Sequence, residues 1–286
     1  MTVQDHAPSW LRGLHDGESP DVHEQLLHNL GGMLQGWAAW PEAMDFLRPD
    51  SPNHGWKALM TRLYRARFDR FLPPAPARIL DLACGSGRFM APLTAEGYEV
   101  VGVDATRPSL EAAARHVPGA KLIWGDVCDL QDFVDQPVDA ALAIELLCYL
   151  PDPGRVLAAL AERMTPGAPL IVSVEAWPGA FLSDPGPPEA VERALQRHEL
   201  VEPGARHVRC YTRQELHDLL VVGGFHPVLI EGSHYVLDGP LGALADPGRL
   251  DGAVYDESLL ALEAQLRQHP DLGVLPRAWL AVARAR

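Results

Sequence analysis

The chain has 286 residues, of which 47% are hydrophobic and 22% charged, so it is long enough to bury one large core in a globular fold. Its formal net charge of −14 disfavours a nucleic-acid partner, because binding DNA or RNA depends on a basic surface. The first residues contain neither a basic leader nor an apolar signal core, and no apolar run reaches membrane-spanning length, which predicts a cytoplasmic protein with no membrane partner.

The cysteines and histidines give no metal-binding pattern. The four cysteines, none of them in a CxxC pair, are Cys84, Cys128, Cys148 and Cys210. His23 and His28 are five residues apart, which takes them off the i,i+4 face that a helical metal pair needs. We therefore expect reduced, buried thiols and no bound metal.

The segment before the first predicted strand has helical patterns. In "DVHEQLLHNLGGMLQGWAAW" the apolar residues at helical spacing are Leu26, Leu27, Leu30, Met33, Leu34 and Trp37. A second helical pattern, "WKALMTRLYRARFDRF", leads up to the strand. We assign residues 1–58 to a helical lid and residues 59–286 to the main domain. The alternative is that these helices pack on the flank of the sheet or form a homodimer contact.

The stretch "RILDLACGSGRF", residues 78–89, begins with an apolar run and passes into small residues. Ile79, Leu80 and Leu82 predict a strand that is buried on both faces of a parallel sheet. Residues 83–87 lack side-chain bulk where the chain must turn, and helical spacing follows them. A strand, loop and helix of this kind form half of a doubly wound sheet, in which ligands bind at the carboxyl ends of the strands.

The loop fits neither of the two common phosphate-binding patterns. No lysine follows the glycines, as a GxxxxGK[ST] loop requires. Met90 occupies the third glycine position of GxGxxG, where its bulk hinders close packing of helix and strand. Asp81, at the end of the strand, suits a cationic amine better than a pyrophosphate. For this stretch alone, the alternative is a tight turn with no ligand.

Strands and helices alternate from about residue 78 to residue 175. The further predicted strands are "YEVVGVDAT", "AKLIWGDVCDL", "VDAALAIELLCYL" and "APLIVSVEAW". Predicted helices separate them, one with Thr106 as a plausible cap and one with Asp152 as cap and Pro153 just inside. This alternation predicts an α/β fold with a doubly wound, mostly parallel sheet.

Three acids stand at the ends of three successive predicted strands. Asp81 and Asp104 are 23 residues apart, and Asp104 and Asp126 are 22 apart, so each interval is one strand-helix unit. In a parallel sheet the three carboxylates line one edge. An acid after the second strand can accept hydrogen bonds from both hydroxyls of a ribose, and an acid after the third can take the exocyclic amine of adenine. A lone strand-end acid is usually a helix cap, but three in step indicate a nucleoside ligand that carries an amine.

These motifs resemble those of the class I S-adenosylmethionine-dependent methyltransferases. "ILDLACGSGRF" is similar to the family's first motif, "VVGVDAT" to its ribose-binding strand end and "GDV" to its adenine-contacting turn. "YTRQELHDLLVVGGF" resembles the helix that leads to the sixth strand. The resemblance covers about residues 60–231 and, more loosely, the last strand, and it implies a seven-stranded Rossmann-like methyltransferase fold. The first glycine of the usual motif is Ala83 here.

The resemblance implies S-adenosylmethionine as the cofactor. Asp81 and the Ala83–Gly87 loop would hold its methionine end, Asp104 the ribose, and Asp126 with the Val127 amide the adenine. Tyr64 and Arg67 are candidates for the methionine carboxylate. The full set of candidate cofactor-binding residues is Tyr64, Arg67, Asp81, Ala83, Gly85, Gly87, Asp104, Ala105, Asp126, Val127 and Glu145.

The candidates for catalytic residues are Tyr149, His207 and Tyr211. Tyr149 follows the fourth strand, but tyrosine is a poor base near neutral pH because its ordinary pKa is about 10. His207 and Tyr211 flank an insert, residues 176–208, that we expect to fold over the site. Ordinary packing is the alternative for all three, and a capping box of Thr212 and Glu215 gives that neighbourhood a structural reason.

We expect methyl transfer to a small-molecule acceptor, of the kind found in specialised metabolism. Three alternatives stay open. The enzyme could use the cofactor without intermolecular transfer, by cyclisation or elimination. It could modify RNA or protein instead. It could also bind the cofactor without catalysis.

Overall fold

The computed structural model describes residues 3–6, 20–201, 206–250 and 252–286. The predicted lid and the predicted insert therefore lie partly outside the described residues, at 1–2, 7–19 and 202–205. Within the described ranges, no helix has both the length and the apolar character needed to cross a membrane.

The main sheet is mostly parallel. Its strands are β1 (Gln4–Asp5), β2 (Arg78–Leu82), β3 (Glu99–Asp104), β4 (Lys121–Trp124), β5 (Ala140–Ile144), β6 (Pro169–Glu175), β9 (Phe225–Ser233) and β10 (Ala278–Ala285). They lie in the order β1-β4-β3-β2-β5-β6-β10-β9, and β10 runs antiparallel to both its neighbours. The predicted fold class is confirmed. The sheet has eight strands instead of seven because the two-residue β1 pairs with the edge of β4.

Helices cover both faces of the sheet. They are α1 (Pro20–Ala39), α2 (Pro41–Met44), α3 (His54–Phe68), α4 (Met90–Ala95), α5 (Arg107–His116), α6 (Pro153–Ala161), α7 (Gly179–Ser183), α8 (Pro188–Arg197), α9 (Arg213–Val222) and α10 (Val254–Gln268). Strands β7 (Glu199–Val201) and β8 (His207–Arg209) form a separate hairpin. The predicted boundary between residues 58 and 59 falls inside α3, which is continuous.

Local sequence signals account for several helix starts. The Asp152 carboxylate accepts a hydrogen bond from the Arg155 amide at 3.2 Å and begins α6, with Pro153 as its first residue. The predicted capping box of Thr212 and Glu215 begins α9. Thr106 does stand at the N-cap of α5, but its side chain does not cap the helix.

The core lies on the two faces of the central strands. Every residue of β5 and β6 is buried, as expected for strands with helices on both sides. One face packs against α3, α4 and α5, and the other against α6, α9 and the short helical segment at Val127–Asp132. Each leucine that the sheet buries fully stabilises the fold by about 2 kcal/mol.

Met90 does not hinder helix–strand packing, contrary to the prediction. Met90 is the first residue of α4, and its side chain is fully buried. The space comes from Gly102 in β3, where an added Cβ would lie 2.5 Å from Met90 Sδ and 2.8 Å from Cys84 Sγ. The small residue that allows close packing is therefore on the neighbouring strand and not in the loop.

Candidate functional site

A cavity of about 470 Å³ lies at the carboxyl edge of the sheet, which is the size of a small-molecule site. Its walls come from the segments that follow β2, β3, β4, β5 and β9, and from helices α1 and α3. The side chains that line the α1 side are Leu26, Asn29, Leu30, Met33 and Trp37. The edge of the sheet is polar and the α1 side is mainly apolar.

The three strand-end acids meet at this cavity. Asp81, Asp104 and Asp126 all line it, with 2%, 8% and 4% of their surface exposed. Burial raises the pKa of Asp81 to about 7, and the nearby Asp104 carboxylate adds to the rise while Arg88 opposes it. One Asp81 oxygen, Oδ2, has no hydrogen-bond partner among the described residues. A buried carboxylate in this state has a strong preference for a cationic ligand.

The loop after β2 opens its backbone to the cavity. Gly85 has φ 55°, and an added Cβ would meet nothing within 4 Å, so this residue borders open space. Ala83 adopts φ 55° as well, although it has a Cβ, which costs about 1 kcal/mol. Gly87, with φ 90°, does not line the cavity, because it packs against Val117.

Asp104 organises the next turn of the site. One of its oxygens accepts hydrogen bonds from the backbone and hydroxyl of Thr106, both at 2.8 Å. The other accepts from the Gly85 amide at 2.9 Å, which ties the glycine loop to the end of β3. The Ser109 hydroxyl lies 2.6 Å from the Thr106 hydroxyl and donates to it, because the Thr106 hydrogen is already used on Asp104. The Trp37 indole of α1 donates to Ser109 at 3.0 Å. The polar network thus reaches from the sheet edge to the covering helix.

Asp126 borders the cavity and also acts as a helix cap. It lines the cavity beside Val127, and it also caps the short helix that follows, by accepting from the Cys128 amide at 2.8 Å. Ala105 lines the same wall.

Strained backbone is concentrated at the cavity. In the described residues, five non-glycine positions have positive φ, and four of these line the cavity: Ala83, Glu145, His234 and Asp238. The first three come directly after β2, β5 and β9. Strain of this kind persists where surrounding structure enforces it and is typical of functional sites.

Beside the acid series, the cavity wall carries three ion pairs, each of one basic and one acidic side chain. They are Lys57 with Asp238 at 3.6 Å, Arg88 with Glu145 at 3.4 Å, and Arg277 with Glu175 at 3.2 Å. Burial alone would raise the pKa of Glu145, but Arg88 and Lys57 outweigh it and lower that pKa to about 2. Glu145 is therefore ionised, and its charge is matched by its neighbour.

His234 is a cavity residue that the sequence reasoning missed. Its side chain is 2% exposed, and neither ring nitrogen has a hydrogen-bond partner among the described residues. Burial lowers its pKa to about 3, so the imidazole is neutral, and the Tyr64 ring lies 4.8 Å away. A signal was present, since β9 runs parallel to β6 and its carboxyl end faces the same edge. The strand-end rule applied to "EGSH" would have identified this residue.

The predicted catalytic residues do not all meet at the cavity. Tyr149 lines it, and the Arg206 guanidinium lies 5.2 Å from the centre of its ring. His207 does not line it; its ring lies against His28 at 5.7 Å. Tyr211 is buried elsewhere, with its hydroxyl 3.5 Å from the Leu147 carbonyl. Both belong to the packing around the hairpin and α9.

Of the two residues predicted to hold a carboxylate, only Tyr64 lines the cavity. Arg67 lies outside it, although both are on α3. Its guanidinium donates to the Gly232 carbonyl at 2.9 Å and lies 3.5 Å from the Glu231 carboxylate. Arg67 therefore joins α3 to β9, and the structure does not support a role for it in ligand binding.

The groups around the cavity fit an amine-bearing nucleoside. The unpartnered oxygen of Asp81 offers a site for an ammonium group, and Gly85 leaves room for a chain to pass close to the backbone. Asp104 and Asp126 can accept from hydroxyls and an amine at successive positions along the same wall. The carboxylates supply hydrogen-bond acceptors, and the ammonium, hydroxyl and amine groups of such a ligand supply the donors.

Comparison with known proteins gives a consistent result. A family described as methyltransferase domain matches residues 56–229. A ubiquinone biosynthesis O-methyltransferase of Xanthomonas axonopodis pv. citri (strain 306) is 26% identical over 169 residues. That match spans 57% of this chain and 66% of the relative, which is less than two thirds of its length.

Solved structures share the fold. A SAM-dependent methyltransferase of Thermotoga maritima has a TM-score of 0.54 and 16% identity, covering 91% of this chain and 100% of its own. The 1,6-didemethyltoxoflavin-N1-methyltransferase of Burkholderia thailandensis, solved with 1,6-didemethyltoxoflavin and S-adenosylhomocysteine bound, has a TM-score of 0.53 and 19% identity. That match covers 94% of this chain and 91% of the other. At such identities the likeness concerns the fold alone.

Proposed function

Because the chain belongs to the S-adenosylmethionine-dependent methyltransferases and uses S-adenosylmethionine as its cofactor, we propose that it transfers a methyl group to a small-molecule acceptor. The observation that carries this proposal is the cavity at the edge of the sheet, which three strand-end carboxylates line. An acceptor must fit beneath α1, inside about 470 Å³ that it shares with the cofactor. That restriction favours a small molecule over a folded macromolecule.

The acid series and the glycine loop are the cofactor-binding part of the proposal. Asp81 holds the ammonium group of the methionine end, and Gly85 lets that end pass close to the backbone. Asp104 accepts from the ribose hydroxyls, and Asp126 with the Val127 amide recognises the adenine. Their positions along one wall of the cavity support this assignment. Ala83, Ala105, Tyr64 and Glu145 border the same space.

The protein's task in this reaction is to position the reactants and to exclude water. When bound, S-adenosylmethionine supplies a methyl group on a positively charged sulfur, so it carries its own activation. The apolar side chains of α1 keep water from the acceptor. Tyr149 contributes orientation rather than proton removal, because its hydroxyl has too high an ordinary pKa to act as a base near neutral pH.

The relatives support an oxygen atom as the methyl acceptor. The Xanthomonas protein is named an O-methyltransferase of ubiquinone biosynthesis. The Burkholderia protein is named an N-methyltransferase, but its likeness concerns only the fold.

Three further predictions concern location and partners: a cytoplasmic location, no nucleic-acid partner, and a homodimer. The net charge of −14 supports the prediction that the protein binds no nucleic acid.

One assay tests the proposal. The protein is incubated with S-adenosylmethionine, with and without a panel of hydroxylated small molecules, and S-adenosylhomocysteine is measured. We expect the product only when an acceptor is present. Methylthioadenosine formed without an acceptor would show that the cofactor reacts with itself. Tight binding of S-adenosylmethionine with neither product, across the panel, would contradict methyl transfer to this class of acceptor.

A further inference from the structure

His234 is an unsatisfied polar group at the wall of the cavity. The imidazole is almost wholly buried, and both nitrogens lack partners among the described residues. A neutral imidazole has one N–H donor and one lone-pair acceptor. A buried donor or acceptor that stays unpaired destabilises the protein, because it has lost its hydrogen bonds to water. Because His234 lines the cavity, we expect a ligand in that space to pair with one of these nitrogens.

The segment that carries His234 is held rigidly by a residue far away in the chain. Glu263 of α10 is fully buried, and its carboxylate accepts hydrogen bonds from the backbone amides of Tyr235, Val236 and Leu237 at 2.8–3.0 Å. The carbonyl of His234 also accepts from the Arg277 amide at 2.9 Å. His234 has a left-handed conformation, with φ 61°. The bond to its own carbonyl and the bonds to the three amides that follow it hold this conformation in place.

Among the described residues, the charged groups that act on His234 all belong to ion pairs, including Arg67 with Glu231. The three ion pairs of the cavity wall match Lys57, Arg88 and Arg277 with one carboxylate each. Tyr64 packs against the imidazole, and Phe89 lies 6.2 Å from Tyr64 between ring centres. This part of the cavity thus combines aromatic surface with one neutral hydrogen-bonding ring, which disfavours an anionic or cationic acceptor.

We propose that His234 binds the methyl acceptor, and that the acceptor is an uncharged molecule whose hydroxyl group, on an aromatic or other apolar body, pairs with the imidazole. This inference rests on the proposed function, because it places the acceptor beside the cofactor-binding wall. A hydroxyl both donates and accepts, so it complements a neutral imidazole in either tautomer. His234 is then the residue that selects for a hydroxyl at this position.

The test compares phenol with toluene, which have nearly the same shape and differ in the hydroxyl group. The protein is first saturated with S-adenosylhomocysteine, and each probe is titrated at pH 7 with ligand-observed NMR. We expect wild type to bind phenol at least about tenfold tighter than toluene. The variant His234→Phe should lose this preference and keep its affinity for S-adenosylhomocysteine. The control is His226→Phe, an exposed position near the start of the same strand, which should behave as wild type.

A second measurement covers the case in which His234→Phe does not fold. In wild-type protein with ¹⁵N-labelled histidine, phenol should shift the ring nitrogen signals that disappear in His234→Gln, and toluene should not. Equal binding of phenol and toluene by wild type would overturn the inference, as would a preference that survives in His234→Phe. Tighter binding of benzoate or benzylammonium than of phenol would overturn the uncharged class. If wild type does not bind S-adenosylhomocysteine, the proposed function itself fails.

Discussion

Asp81 is deeply buried, and one of its carboxylate oxygens has no hydrogen-bond partner in the part of the chain that the structure describes. In water a carboxylate of this type has a pKa near 4, but here burial moves the pKa to about 7. The residue is therefore partly protonated at neutral pH in the free protein. A cationic ligand favours its ionised form, so ligand binding and proton release are linked at this side chain.

This linkage predicts how the affinity for S-adenosylhomocysteine depends on pH. Below pH 7 the Asp81 carboxyl is protonated, so affinity should rise by up to about tenfold per unit as pH increases toward the pKa of about 7. At higher pH, where the α-amino group of the ligand loses its proton, affinity should fall again. Calorimetry from pH 5.5 to 9 measures this profile.

The matched control for the pH profile is Asp81→Asn. It should bind S-adenosylhomocysteine weakly and show no rise between pH 5.5 and 7. An affinity of wild type that stays constant over that range would contradict the assignment of Asp81 to the ammonium group.

The variant Asp104→Ala should weaken binding of S-adenosylhomocysteine by about 1–3 kcal/mol, because the ribose hydroxyls lose their buried acceptor. The Gly85 amide also loses its partner, which loosens the glycine loop. Calorimetry gives the affinity and thermal unfolding checks the fold. Asp132→Ala, at an exposed position, is the control. Unchanged affinity in Asp104→Ala would count against the ribose assignment.

Among the secondary-structure elements, the strands contribute to the site through their carboxyl ends. β2, β5 and β9 are each followed by a residue with positive φ, namely Ala83, Glu145 and His234. Each of these turns directs backbone or side chain into the cavity instead of continuing the strand. The rigid sheet fixes where the turns begin, and hydrogen bonds from other elements fix their shape.

The turn after β9 depends on α10 through Glu263. Oε1 of Glu263 accepts from all three backbone amides of residues 235–237, and Oε2 also accepts from the Tyr235 amide at 3.0 Å. The variant Glu263→Gln removes the negative charge and turns Oε2 into an NH2 group, which faces the Tyr235 amide donor to donor. We expect the free energy of unfolding to fall by about 1–3 kcal/mol in urea titrations. Amide hydrogen exchange at Tyr235, Val236 and Leu237 should become faster.

Glu257→Gln is the control for this variant, since Glu257 is on the same helix with an exposed side chain paired to Arg62. Such a surface pair contributes at most about 1 kcal/mol. If exchange at residues 235–237 were as slow in Glu263→Gln as in wild type, Glu263 would not be what holds this turn.

Across the whole molecule, α1 joins parts of the fold that are distant in the chain. Asn29 donates to the carbonyls of Tyr149 and His207 at 2.8 and 3.1 Å, and accepts from the His207 amide at 2.7 Å. Trp37, two turns later, donates to Ser109 of α5. The helix is thus held at two points above the cavity, one toward the hairpin and one toward the acid series.

We expect α1 to control how fast the cofactor leaves. The variant Asn29→Ala removes three buried hydrogen bonds, each with a net contribution of about 1 kcal/mol, so release of S-adenosylhomocysteine should accelerate by about tenfold or more. Stopped-flow displacement measures this rate. The control is Gln35→Ala on the exposed side of the same helix. An unchanged release rate would mean that α1 does not act as a lid.

The amino-acid sequence by itself determined the layered fold and the acid series. Buried strands, glycine turns and helix caps are local signals, and the interval of 22–23 residues between Asp81, Asp104 and Asp126 follows from one strand-helix unit. Because parallel strands end at the same edge, that spacing was enough to predict a common wall. The same strand-end rule, extended to the end of β9, also leads to His234.

Tertiary structure alone decided which other residues reach the cavity. Tyr64 and Arg67 are on the same helix, yet only Tyr64 lines the cavity, because Arg67 pairs with β9. Gly102 makes room for Met90 from a different strand, and Glu263 fixes a turn nearly thirty residues before it. These contacts join residues far apart in the chain, and their geometry depends on how the packed layers meet, which no local periodicity encodes.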